Sequence, residues 1–117
     1  MAPVAGEAGV VHPGHEIAAR QMDTGFGAMI GFELRAGLEA GRRFCEALEI
    51  ITRGVSLGGV ESLIQHPASM SHLKTPPEVK ARLGITDGLL RFSVGIEDQA
   101  DLVADLEQGF QAAAGGR

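Results

Sequence analysis

The four histidines of the chain form two pairs whose spacing could serve a metal site. His12 and His15 are three residues apart, and His66 and His72 are six residues apart. A zinc site needs three or four ligands at defined spacings, usually with cysteine or carboxylate ligands close by. A proline interrupts each pair. We therefore expect no metal site, and we interpret these histidines as residues that flank turns.

Two side chains, Cys45 and Ser56, could act as nucleophiles. Cys45 lies on the apolar stripe of a predicted helix, whereas a reactive thiolate needs an electropositive, partly exposed setting. Its position predicts a small buried hydrophobic residue instead. Ser56 is not part of a G-x-S-x-G motif, and its neighbouring glycines lack the spacing of a P-loop or a dinucleotide fingerprint. Its surroundings predict a structural turn, so we expect neither Cys45 nor Ser56 to act as a nucleophile.

Arg91 is the charged residue with the clearest chemical potential, because it lies in an alternating strand pattern. One side of that strand carries Leu90, Phe92 and Val94, and the other carries Leu89, Arg91 and Ser93. A guanidinium among apolar residues needs an anion, because burying it unpaired is costly. Its planar fork suits a carboxylate held by two parallel hydrogen bonds. The pattern leaves two partners open: a ligand carboxylate, or a salt bridge to Glu61, Glu97 or Asp98.

The elements that position these residues follow from apolar periodicity and from glycine and proline punctuation. The predicted order is helix, strand, helix, strand, strand, helix, strand, helix. Helices are predicted over 15–22, 36–50, 76–84 and from 98, and strands over 28–34, 50–55, before Pro67 and over 89–95. This order predicts an α+β fold, with a small, mostly antiparallel sheet covered by helices.

Apolar spacing also predicts which helix faces are buried. In the second helix the expected stripe is Leu38, Gly41, Cys45 and Leu48, and in the last helix it is Ala100, Leu102, Val103, Leu106 and Phe110. Residues 112–116 are small and predict a frayed end. We expect a loose lead-in over 1–11, one domain over 12–113 and a frayed tail over 114–117.

Composition excludes several classes of function. With 117 residues the chain holds one domain at most. Its net charge of −5, together with only five Phe and no Trp or Tyr, argues against nucleic-acid binding. No apolar run approaches the ~20 residues of a membrane span, and no basic residue precedes the apolar N-terminus as in a signal peptide. The single cysteine fits a reducing compartment, so we expect a cytoplasmic protein without nucleic-acid or membrane partners.

Three ordered segments carry a family resemblance. The run 56–64 (SLGGVESLI), continued by 66–72 (HPASMSH), is similar to a signature of the Cys/Met metabolism (trans-sulfuration) enzymes, which depend on pyridoxal phosphate. Segments 25–30 (GFGAMI) and 90–98 (LRFSVGIED) agree in the same order. The family includes cystathionine synthases and lyases, methionine γ-lyase and O-acetylhomoserine sulfhydrylase. The resemblance spans about residues 12–113.

The resemblance implies that this chain corresponds to the C-terminal domain of a fold-type I pyridoxal-phosphate enzyme. In the family, a lysine in a Ser-x-Thr/Ser-Lys segment of a large domain forms the Schiff base with the cofactor. Lys74 and Lys80 have other surroundings, so the resemblance implies that the missing large domain holds the cofactor and that this chain alone does not turn over substrate. Family members are usually homotetramers, so self-association is expected.

The resemblance also implies where a sulfur amino-acid substrate binds. Arg91 would hold its α-carboxylate, with Ser56 at the same end of the pocket and Val55 and Leu57 beside it. The resemblance implies C–S cleavage of the cystathionine β/γ-lyase or methionine γ-lyase type. Some γ-synthases and γ-lyases of the family carry a glutamate at the position of Val55, and an apolar residue there favours a lyase that acts on a less polar side chain, as in methionine γ-lyase or some bacterial β-lyases. Three alternatives remain: a transferase such as cystathionine γ-synthase or O-acetylhomoserine sulfhydrylase, a non-catalytic folding and assembly module without cofactor, or an amino-acid-binding regulatory domain.

Overall fold

A computed structural model describes residues 13–115 of the chain as four helices and four strands in the predicted order. The helices are α1 (His15–Gln21), α2 (Gly37–Ala47), α3 (Pro77–Arg82) and α4 (Gln99–Ala114), and the strands are β1 (Met29–Glu33), β2 (Thr52–Arg53), β3 (Leu63–Gln65) and β4 (Leu89–Ser93). A short 3-10 helix, Pro67–Ser69, follows β3. The predicted lead-in and His12 lie outside the described residues.

The four strands form one mixed sheet in the order β1-β4-β3-β2. Strand β4 is antiparallel to both of its neighbours, β1 and β3. Strand β2 runs parallel to β3 and pairs with it over two residues only. The antiparallel pairs agree with the predicted sheet, and the parallel pair makes the sheet mixed. Residues 54–62 connect β2 to β3, so this loop ends beside the strand that carries Arg91.

The core lies between one face of the sheet and the pair of helices α2 and α4. Leu90 and Phe92 of β4 face it, as the alternation predicts, together with Ile64 of β3. Phe44 of α2 is fully buried, and its ring centroid lies 5.0 Å from that of Phe110 on α4. A large aromatic side chain thus anchors the contact between the two helices.

The buried face of α2 is displaced from the predicted stripe. Gly41 and Cys45 are buried as expected, but Leu38 is 44% exposed, and Ala40 and Phe44 form the centre of the buried face. The helix is rotated towards the residue with the largest apolar surface, because burying Phe44 removes more area from water than burying Leu38.

Helix α4 begins at the predicted residue and continues beyond its predicted end. The Asp98 carboxylate accepts a hydrogen bond from the Asp101 N–H at 3.1 Å, a typical N-cap. The helix runs to Ala114, because Ala113 packs into the core where fraying was predicted. On the predicted stripe Leu102 is buried, but Val103 is 46% exposed. Within residues 13–115, no helix is long and apolar enough to cross a membrane.

Candidate functional site

Arg91 lies in the middle of β4 and its side chain leaves the sheet on the face opposite the core. Its Nη2 donates hydrogen bonds to the backbone carbonyl of Val55 at 2.8 Å and to that of Ser56 at 3.1 Å. The guanidinium therefore reaches the serine–glycine loop of residues 54–62. The two residues that the resemblance places at one end of a pocket, Arg91 and Ser56, lie together.

The salt-bridge alternative for Arg91 is not realised among residues 13–115. The ion pairs found there join Arg42 to Glu39 and Glu46 on the surface of α2. Arg91 Nε is buried and has no hydrogen-bond partner within the same range. Carbonyl oxygens accept hydrogen bonds without cancelling the charge, so this guanidinium keeps its full positive charge for an anion.

Glu97, one of the candidate partners of Arg91, instead binds Ser62. Its carboxylate accepts from the Ser62 N–H and from the Ser62 hydroxyl, each at 2.7 Å. The Ser62 hydroxyl oxygen in turn accepts from the Gly95 N–H at 2.8 Å. The two hydrogen bonds from Ser62, the backbone one first, lower the pKa of Glu97 below its ordinary value. This network fastens the end of the serine–glycine loop to the turn after β4.

The middle of the loop is fastened by Ser93, two residues after Arg91. The Gly58 N–H donates to the buried Ser93 hydroxyl oxygen at 2.9 Å. Gly58 has a φ of +78°, a conformation that favours glycine. The loop is thus held to β4 at Arg91, at Ser93 and just beyond the strand. The predicted alternation places Ser93 on the face of Arg91, but the sequence carries no signal for the amide it binds.

A cavity of about 390 Å³ opens beside Arg91. It is lined by Val55, Gln65, Pro67, Ser71, His72, Ile85, Leu89, Leu90 and Arg91. Of the four residues with a predicted substrate-binding role, Arg91 and Val55 line this cavity. Ser56 contributes the carbonyl that Arg91 binds, and Leu57 is 52% exposed outside the lining.

Three polar residues that the sequence did not bring together form one wall of the cavity. Gln65 is directly opposite Arg91 in the β3–β4 register and is buried. Its Nε2 donates to the Ser71 hydroxyl, which lies 2.7 Å from His72 Nδ1. Only the fold could reveal this row, because it depends on the register of two strands that are distant in sequence.

His66 and His15 have structural contacts. His66 is buried, with Nδ1 2.8 Å from the Ser69 hydroxyl and Nε2 on the Asp87 carbonyl. The ring of His15 packs near that of Phe26. In the range 13–115, no group of three metal-ligating side chains could hold a metal ion.

Cys45 and the two lysines do not line the cavity. Cys45 is buried as predicted, and burial raises the pKa of its thiol to about 11. Lys74 lies in the turns after the 3-10 helix and Lys80 on α3, and neither lines the cavity. The charged side chain in the lining of the cavity is Arg91, whose guanidinium is able to bind an anionic group.

Comparisons with known proteins give the family context of this site. The family model described as Cys/Met metabolism PLP-dependent enzyme matches residues 8–111. The chain is 55% identical to an L-methionine gamma-lyase of Fusobacterium nucleatum subsp. polymorphum over 86% of its length, and 57% identical to the cystathionine gamma-synthase of Escherichia coli over 86%. It covers 25% and 26% of those proteins, so it spans about a quarter of their length.

The fold is also shared with a solved structure. The crystal structure of cystathionine gamma synthase from Xanthomonas oryzae pv. oryzae, in complex with aminoacrylate and cysteine, matches with a TM-score of 0.80 and 54% identity. The match covers 89% of this chain and 27% of that one. Sequence and fold thus agree over the same stretch.

Proposed function

The chain belongs to the family of Cys/Met metabolism PLP-dependent enzymes, and from this premise we propose that it is the C-terminal, substrate-carboxylate domain of an enzyme that cleaves C–S bonds in sulfur amino acids. The observation that carries the proposal is the guanidinium of Arg91, fixed by two loop carbonyls and free of any carboxylate within residues 13–115. A substrate α-carboxylate is the anion that such a group would bind.

Binding through Arg91 would orient the substrate. The two bonds to Val55 and Ser56 use the Nη2 hydrogens, and Nε is buried, so Nη1 is the nitrogen left to donate to a ligand. Each charge-assisted hydrogen bond to a carboxylate contributes about 1.5–3 kcal/mol. Fixing the carboxylate limits rotation about Cα and so selects the bond that reacts, which is among the larger contributions to catalysis.

The described residues do not fit pyridoxal phosphate as a covalently held group, because neither Lys74 nor Lys80 lines the cavity of Arg91. We therefore propose that a separate large domain, outside this 117-residue sequence, holds the cofactor, which supplies the electron sink for the reaction. The part played by this chain is then to bind the substrate carboxylate. We expect the chain by itself to bind amino acids weakly and not to convert them.

The type of reaction is the finer part of the proposal. An apolar Val55 in the wall of the cavity favours a lyase acting on a less polar side chain. Identities of 55% to a methionine gamma-lyase and 57% to a cystathionine gamma-synthase support both a lyase and a transferase. A transferase of the cystathionine gamma-synthase type is therefore the second candidate.

The carboxylate function can be tested on the 117-residue chain by NMR titration with L-methionine and with L-methioninol, which lacks the carboxylate. We expect L-methionine to shift the Arg91 side-chain signals and L-methioninol to leave them unchanged. Arg91→Lys should weaken L-methionine binding about tenfold, because lysine has no second nitrogen to bind the ligand while the first binds the loop carbonyls. Arg82→Lys, on the exposed surface of α3, is the matched control and should have no effect. Equal binding of the two compounds would contradict the proposal.

A further inference from the structure

The polar wall of the Arg91 cavity is a row of hydrogen bonds. The amide nitrogen of Gln65 donates to the Ser71 hydroxyl oxygen. The Ser71 hydroxyl lies 2.7 Å from His72 Nδ1, and when it donates its one hydrogen to this nitrogen, the neutral ring of His72 carries its hydrogen on Nε2.

His72 is also held by its backbone. Its N–H donates to the Pro67 carbonyl at 2.9 Å, and its own carbonyl accepts from the Thr75 N–H at 3.1 Å. The ring is half-buried and lines the cavity, and Nε2 donates to no group among residues 13–115. A ring nitrogen that lacks a protein partner is available to a ligand.

The arrangement separates two recognition groups within one cavity. Arg91 and Gln65 are cross-strand neighbours, and two hydrogen bonds lead from Gln65 through Ser71 to His72. Most of the remaining lining is apolar, contributed by Val55, Pro67, Ile85, Leu89 and Leu90. A volume of about 390 Å³ lies in the range of small-molecule sites, so the cavity can hold more than a single carboxylate.

We propose that His72, oriented by Ser71 and Gln65, is a specificity-determining residue that donates a hydrogen bond from Nε2 to an acceptor at the far end of the substrate side chain. The preferred substrate is then an amino acid whose apolar side chain ends in a second carboxylate or a similar acceptor. This inference rests on the carboxylate function proposed above for Arg91. Arg91 binds the α-carboxylate of the substrate, and this inference assigns the end of its side chain to His72.

The first test measures the tautomer of His72 without a ligand. At about pH 8.5, where an ordinary histidine is neutral, long-range ¹H–¹⁵N NMR spectra should show the Nε2–H tautomer. Ser71→Ala should turn it into a mixture, because nothing then donates to Nδ1. A predominant Nδ1–H tautomer in the unsubstituted chain would overturn the proposal.

The second test uses L-2-aminoadipate and L-norleucine, which differ only in a carboxylate or a methyl group at the end of the side chain. The chain should bind L-2-aminoadipate about tenfold more tightly, as expected for one charge-assisted hydrogen bond. His72→Phe should abolish this preference and leave L-norleucine binding within about twofold. His72→Gln, which retains a donor near the position of Nε2, should restore part of the preference for L-2-aminoadipate.

The outcomes separate this inference from the function on which it rests. Suppose that Arg91→Lys weakens the binding of both amino acids, but His72→Phe changes the binding of both equally or of neither. The proposed role of His72 is then wrong and that of Arg91 stands. If Arg91→Lys leaves the binding of both amino acids unchanged, while His72→Phe still abolishes the preference for L-2-aminoadipate, the proposed carboxylate-binding role of Arg91 is wrong. If neither amino acid binds to the unsubstituted chain, both proposals are wrong for this chain.

Discussion

Arg91 is held by neutral partners, and this decides what the residue can do. An acidic partner would have cancelled its charge and would have had to be displaced by a ligand. The carbonyls of Val55 and Ser56 fix the guanidinium in place and leave its charge uncompensated. A positive group that is positioned in advance binds an anion with little reorganisation, which is how a binding site gains both affinity and orientation.

We expect the loop that supplies these carbonyls to depend on the ionised form of Glu97, which accepts two hydrogen bonds from Ser62. Because the Ser62 N–H and hydroxyl lower the pKa of Glu97, its contribution to stability is present above its ordinary pKa of 4.5 and is lost as the pH falls through the lower folded value. We expect strong protection of the Ser62 and Gly95 amides from hydrogen exchange near neutral pH, and loss of that protection in acid.

Glu97→Gln should reduce the same protection at neutral pH and remove its dependence on acid. Amide hydrogen exchange followed by NMR, corrected for the intrinsic pH dependence, measures this directly. Glu61→Gln, in the same loop, is the matched control and should leave both amides protected. Unchanged protection in Glu97→Gln would contradict the anchoring role of the carboxylate.

Cys45 provides a second test at the scale of a single residue. Burial raises the pKa of its thiol to about 11, so the folded protein disfavours the thiolate. We expect a thiol reagent to label the unfolded chain readily at mildly alkaline pH and the folded chain at a small fraction of that rate. The raised pKa also means that stability falls as the pH rises from the ordinary value of 9.0 through 11. Rapid labelling of the folded chain would show that the helix position is exposed.

The sequence predicts which face of the strand a side chain occupies better than it predicts the hydrogen-bond partners of that side chain. Strand alternation correctly separates Arg91 from Leu90 and Phe92, because facing is a local property. The partners of Arg91 are backbone carbonyls, which carry no residue-type signal. The neighbour Gln65 is reached only through the β3–β4 register, which is set by the whole sheet.

At the scale of elements, a buried carboxylate connects α4 to the end of α2. Asp105 accepts hydrogen bonds from the N–H groups of residues 49, 50 and 51 at 2.7, 3.0 and 2.8 Å. Gln108 Nε2 donates a fourth at 2.8 Å. Burial acts to raise the pKa of Asp105, but these hydrogen bonds outweigh it and the pKa is lowered. The sequence pattern missed this residue, because it is a charge on the buried face of an amphipathic helix.

Asp105→Ala should destabilise the fold, because it leaves three amides without their acceptor. We expect a loss of about 2–3 kcal/mol in the free energy of unfolding, measured by urea denaturation. Since the folded pKa lies below the ordinary 3.8, the contribution of Asp105 is present at neutral pH and disappears as the pH falls below that value. Asp101→Asn, exposed on the same helix, is the control. Equal stability of Asp105→Ala and Asp101→Asn would refute the connecting role.

The position of α2 shows why helices are easier to predict than their orientation. The apolar spacing located the helix and two of its buried residues, Gly41 and Cys45. It missed the rotation towards Phe44, which depends on Gly109 of α4. A Cβ atom at Gly109 would lie 2.8 Å from the Phe44 ring, so the absence of a side chain there makes room for the aromatic residue. Such complementarity between two helices is not visible in either one alone.

At the scale of the whole molecule, the surface around the loop is unusually apolar. Val55, Leu57, Val60 and Ile96 are 58%, 52%, 64% and 81% exposed. The Ile96 N–H donates to the Val60 carbonyl at 2.9 Å, so these two residues belong to one patch beside the candidate site. Exposed apolar patches of this kind mark interaction surfaces or sites of aggregation. The chain spans about a quarter of the length of its relatives. We therefore expect that in a longer protein other residues would cover this patch.

We therefore expect the 117-residue chain to self-associate through this patch. Burying a valine or isoleucine side chain contributes about 1.5–3 kcal/mol, so replacing both Val60 and Ile96 by serine should weaken association by at least about tenfold. Light scattering across a concentration series measures the effect. Leu83→Ser removes an equally exposed apolar residue at the end of α3, 61% exposed, and should leave association unchanged. Either a monomer at high concentration, or an equal effect of Leu83→Ser, would show that this patch does not drive assembly.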